Sequence, residues 1–161
     1  MKKILIYGYG NPGRQDDCLA NALVEKTQQW AEKNNIENVE FDSNYQLNIE
    51  DAEQISHYDK VIFADASTEH IDDFYLSKVQ PNDAKVEFSM HAVSPSYVVD
   101  LCNKIYKKSP ETYLLHIKGY EWNFMSPMSN EAQKNLDLAF NFLKYKIITM
   151  SNGSLSNNYT E

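Results

Sequence analysis

The sequence predicts an α/β domain of three layers, α/β/α, around a mostly parallel twisted sheet of the phosphorylase/hydrolase-like kind. Three observations carry this. Short apolar runs recur along the chain, they alternate with longer stretches of three-four apolar spacing, and no stretch approaches the ~20 apolar residues that a membrane span needs. Strands that alternate with helices pair in parallel, because each crossover returns the chain to the same end of the sheet.

Ile4-Leu5-Ile6-Tyr7 opens the sheet as a buried strand. Met1-Lys2-Lys3 ahead of it has the look of a signal peptide, but the apolar part is too short and glycine follows at once. Asp17 to about Lys33 sets Ala20, Leu23, Thr27, Trp30 and Ala31 on one helical face. Val39–Phe41 and Val61–Ala64 are the next strands, and Val86–Phe88 is a weaker one. The stretch Asp72 to Glu87, interrupted by Pro81-Asn82-Asp83, suggests an edge hairpin. Tyr97 to Lys107 is a helix by the spacing of Val98, Leu101, Cys102 and Ile105, and Tyr113–Ile117 is the last strand. A final helix spans about Ser129 to Ile147 on Ala132, Leu136, Ala139, Phe140 and Leu143, with Ser129 at its start. Residues 1–150 are thus read as a single domain, and the Ser/Asn-rich, aperiodic 151–161 as a flexible tail.

A chain of 161 residues suffices for one such core. Cys18 and Cys102 are too few for a disulfide framework, which fits a reducing cytoplasm, and neither lies in a Cys-x-x-Cys pair. A net charge of −8 argues against nucleic acid as partner and in favour of a basic protein segment.

Ligands of open α/β sheets bind outside the carboxyl ends of the strands. After the first strand come Gly8-Tyr9-Gly10-Asn11-Pro12-Gly13-Arg14-Gln15-Asp16-Asp17. After the third comes Asp65, and after the weak strand Met90-His91-Ala92. Asp16 is expected to act as a helix cap or dipole partner, whereas Asp65 ends an apolar strand, where a carboxylate is costly unless paired or ligating. Two carboxylates and an imidazole suit nickel, zinc, cobalt or iron(II), with coordination positions left open. His57 and His70 read as surface residues, His116 as a hydrogen-bonded residue of a strand face, and Cys18 as packing. Trp122, Phe124 and Met125 read as core beneath the last helix, with a substrate cleft as the alternative.

Three families match the glycine turn. The letters fit the dinucleotide fingerprint G-x-G-x-x-G, yet Pro12 removes a donor and Asp16-Asp17 would repel a pyrophosphate. Tyr9-Gly10-Asn11-Pro12-Gly13 resembles the opening of bacterial peptidyl-tRNA hydrolases, whose catalytic histidine follows soon after; here the next is His57. The fullest resemblance is to the nickel–iron hydrogenase maturation endopeptidases. Their Gly-x-Gly-Asn, four variable residues and paired acids are matched by Gly8 to Asp17. Their strand ending in Ala-Asp-Ala is matched by Ala64-Asp65-Ala66, their histidine before a helix by His91, and their late strand by Ile117-Lys118-Gly119-Tyr120-Glu121.

This resemblance implies an endopeptidase that removes the C-terminal extension of a hydrogenase large-subunit precursor in the cytoplasm. It also implies that Asp17, Asp65 and His91 form both the nickel-binding and the catalytic set. Nickel would arrive with the precursor and polarise the scissile carbonyl, with Asp16 or Asp17 as proton acceptor. A non-catalytic metal-binding escort protein would need the same ligands.

Overall fold

A computed structural model of the protein describes residues 2–81 and 93–152. Its five-stranded sheet contains β1 (Ile4–Tyr9), β2 (Val39–Asn44), β3 (Lys60–Ser67), β4 (Phe74–Lys78) and β5 (Glu111–Lys118), in the order β2-β1-β3-β5-β4. All neighbours run parallel except β4, which lies antiparallel on β5. The strands start level, Ile4 opposite both Val39 and Lys60, and Lys60 opposite Glu111. Their carboxyl ends therefore reach one common edge.

Side-chain alternation splits the core into two layers. Ile4, Ile6, Ile62, Ala64, Leu115 and Ile117 face α1 (Leu19–Lys33) and α4 (Asn130–Asn152). Leu5, Tyr7, Tyr9, Val61 and Phe63 face the other way, with α2 (Asp51–Ile55) and α3 (Pro95–Tyr106). Each fully buried aliphatic or aromatic side chain contributes about 1.5–3 kcal/mol, so the central strands β1 and β3 anchor the sheet. The three-layer α/β/α architecture predicted from the alternation is the one observed.

The four apolar runs expected as strands lie within β1, β2, β3 and β5. Val86–Phe88 lies outside the described residues. Of the suggested edge hairpin, the first part holds an edge strand, β4, paired with β5, and residues 82–87 lie outside the described residues. Helix α2 has no counterpart in the sequence reading; its five residues are too few to display a period, and only Ala52 and Ile55 mark its buried side. The boundary placed at 150 falls inside α4, which continues to Asn152. Ser129 does cap that helix, its hydroxyl accepting from the Ala132 amide at 3.2 Å. Among the described residues no helix is long and apolar enough to cross a membrane.

Candidate active site at the carboxyl edge of the sheet

The glycine turn is packed against its own chain. A Cβ on Gly10 would stand 2.1 Å from the Asp17 carbonyl oxygen, and one on Gly8 would stand 2.6 Å from that of Ala20. Only glycine lets β1 pass this close to the segment that follows. The glycine turn leads into a short 3₁₀ turn, Gln15–Cys18, ahead of the helix. The helix expected from Asp17 accordingly divides into this turn and α1.

The turn aims the two acids in different directions. Asp16 is fully buried. Its carboxylate accepts from the amides of Tyr120, Glu121 and Ser129 and from the Ser129 hydroxyl, at 2.7–2.9 Å. Burial pushes its carboxyl up, but these four donors outweigh burial and hold it below the usual carboxylate range. Asp16 is thus a structural anion, tied to the loop between β5 and α4. Its low proton affinity and its engaged oxygens exclude it as the general base that the sequence left open.

Asp17 is half-buried, and its Oδ2 accepts from the Asn11 amide at 2.9 Å. Asn11 is itself fixed, its side-chain oxygen accepting from the Gly13 amide at 2.9 Å. Asp65 follows Val61 and Phe63 on the α2/α3 face and is likewise half-buried. Burial and the nearby negative charge of Asp17 push its carboxyl up to about 7, against the opposing effect of the Ala66 amide and the Tyr9 hydroxyl. Among the described residues no basic side chain pairs with either acid. A carboxyl raised beside an acidic neighbour, without a counter-charge among the described residues, favours the approach of a cation.

His91, the third residue of the predicted set, lies outside the described residues. Among those described, no group of three or more His, Cys, Asp or Glu side chains is arranged to hold a metal. The helix predicted to follow His91 is present: Ser94 accepts from the Tyr97 amide at 3.2 Å and Pro95 opens α3. Because α3 leads back to the start of β5, its first turn stands at the carboxyl edge with Asp17 and Asp65.

The remaining candidates divide cleanly. His57 and His70 are exposed, and His57 pairs with Glu53 at 2.7 Å. His116 lies within hydrogen-bond distance of the Ser77 hydroxyl, 3.0 Å, and its ring lies 5.5 Å from that of Tyr75. Burial and the negative charges of Asp16 and Asp17 push the Cys18 thiol up, the reverse of an activated nucleophile. Phe124 and Met125 are 69% and 93% exposed, so the core reading fails for both: the loop carries them outward before α4 begins.

Tyr9 escaped the sequence reading. It is buried, edge-on to Phe63 at 6.4 Å, with its hydroxyl within hydrogen-bonding reach of Asp65. Burial and the Asp65 charge raise the phenol well above its ordinary value, so it remains a donor. The available signal was parity, since Tyr9 continues the face of Leu5 and Tyr7 as Asp65 continues that of Val61 and Phe63.

No protein-family model matches the sequence, and no curated protein matches it significantly. Solved structures do. The NiFe hydrogenase maturation protease HycI of Thermococcus kodakarensis KOD1 superposes with a TM-score of 0.69 at 15% identity, over 91% of this chain and 92% of that one. The hydrogenase maturating endopeptidase HybD of E. coli gives 0.73 at 14% identity, over 92% and 94%. The hydrogenase 2 maturation peptidase of a Thaumarchaeota archaeon gives 0.64 at 16% identity, over 91% and 98%. At such identities the likeness is one of fold, and the chain has the hydrogenase maturation protease fold.

Proposed function

We propose that this chain is an endopeptidase that trims the C-terminal extension of a nickel–iron hydrogenase large-subunit precursor and reads the nickel already seated there. One observation carries the reading. Asp17, in the turn after β1, and Asp65, on β3, form a carboxylate pair without a counter-charge among the described residues, and the likeness to maturation proteases supports the reading.

Nickel enters as part of the substrate, and its chemistry when present is to polarise the scissile carbonyl. The protein's own contribution is positional. Asp17, held by the Asn11 amide, and Asp65, flanked by Tyr9, would offer the oxygen ligands, and His91 is proposed as the nitrogen ligand. An empty precursor offers no cation to offset the cost of an Asp65 carboxylate beside Asp17, so the same pair discriminates against it.

The test is the mass of the large subunit after incubation with the purified protein, for nickel-loaded and nickel-free precursor. Loss of the extension from the loaded form alone is expected, and loss of that activity in Asp65→Ala and His91→Ala. An intact loaded precursor would discard the protease reading and leave that of an escort.

A further inference from the structure

The loop from Gly119 to Ser129 has no regular structure, yet it is fixed along much of its length to the turn that carries Asp17. Asp16 takes the amides of Tyr120, Glu121 and Ser129, and its own amide donates to the Glu121 carbonyl at 3.0 Å. Gln15 donates to Glu121 at 3.1 Å and accepts from the Asn123 amide at 3.1 Å. Arg14 Nε donates to the Trp122 carbonyl at 3.2 Å, and the Met125 amide donates to the Gly13 carbonyl at 3.0 Å.

Two residues in this zipper are strained. Gln15 has φ 45° and Met125 φ 61°, a left-handed conformation that side chains other than glycine, Asn and Asp adopt at a cost. The product of that strain is an exposed pair. Phe124 stands out with the Arg14 guanidinium 5.4 Å from its ring centroid, and Met125 is almost wholly in solvent. A loop free to relax would turn such side chains inward. This one holds them out against Gly13 and Arg14, four and three residues before Asp17.

We propose that Phe124 and Met125 are specificity-determining residues of the candidate site, a preorganised apolar contact for side chains of the precursor that flank its cleaved bond. The proposal rests on the protease reading above. The occupant follows from continuity: the platform is bonded to residues 13–16, immediately before the acid that would face the metal, so a polypeptide presenting its metal to Asp17 passes over the platform. Methionine suits such a contact because its unbranched thioether adapts to an irregular partner. Preorganisation of the backbone by the zipper means that little loop entropy is lost on binding.

The test measures steady-state processing and equilibrium binding of nickel-loaded precursor by the wild type, Phe124→Ser and Met125→Gly. Glycine at 125 keeps the left-handed backbone and deletes only the side chain. The expected result is KM and Kd raised about tenfold in each variant, with kcat retained. Unchanged KM in both variants, with a wild type that cleaves, overturns the platform and leaves the protease reading intact. A wild type that binds but does not cut, with variants that bind more weakly, keeps the platform and removes the protease. A wild type that neither binds nor cuts overturns both.

Discussion

Ser129 donates to Asp16 twice, through its amide at 2.8 Å and its hydroxyl at 2.7 Å, and so joins the start of the last helix to the turn after the first strand. Asp16→Ala removes the acceptor of three backbone amides at once. Each buried or half-buried orphan costs on the order of 1 kcal/mol or more, so a loss of about 3 kcal/mol is expected, read as a lower urea midpoint at constant slope. Ser129→Ala, which leaves the amides bonded, should lose about 1 kcal/mol.

Asp65→Asn is expected to separate stability from function. Burial and Asp17 disfavour the Asp65 carboxylate in the metal-free protein, so the neutral amide should raise the unfolding midpoint at pH 8 by a gain of about 1 kcal/mol. Processing of the precursor should be lost in the same variant. A destabilised Asn variant would contradict the electrostatic account of the pair.

Gly10→Ala places a methyl group 2.1 Å from a backbone oxygen that has no flexible end to move. The turn must open, and Asp17 must shift with it. Loss of more than about 2 kcal/mol is expected, together with loss of processing. Gly13→Ala is the matched control, since its Cβ meets only the Asn11 side-chain oxygen, at 3.3 Å.

Met125→Gly should do the opposite to stability. Glycine takes the left-handed backbone without strain, so the thermal midpoint should hold or rise by the equivalent of about 0.5–1 kcal/mol. A fall would show that the exposed methionine packs against something in solution.

His116 gives a pH signature away from the site. Burial lowers its pKa, with Glu69 opposing. A depressed folded pKa means that the unfolded chain binds the proton more readily. The associated stability is complete above the unfolded value of about 6.5 and is lost as pH falls through the folded value. The wild type should therefore lose stability between pH 7 and 5 relative to His116→Phe, whose melting temperature should be flatter there.

How far the sequence reveals this molecule depends on range. The apolar runs of β1, β3 and β5 announce strands because burial on both faces demands them, and α1 and α4 declare their inner faces through Leu23, Trp30, Leu136 and Leu143. Asp65 stands out in the sequence because an acid at a strand end needs a reason, and Asp17 because it closes the glycine turn at a helix start. Asp16 was misjudged as a local cap because its partners lie more than a hundred residues away. Met125 was misjudged because apolar character speaks of burial, and only the bonds of its backbone reveal that it is held outside. Helix α2 stayed hidden for want of length.

The separation of Asp16 from Ser129 has a consequence for synthesis. The chain that separates them, 113 positions along the sequence, takes seconds to translate, and domains assemble from their first-made end. Throughout that interval Asp16 is an unshielded carboxylate beside Asp17, and the segment that supplies its donors does not yet exist. A nascent chain that stops short of Ser129 therefore lacks donors that hold Asp16, and the turn gains them only when the final helix docks.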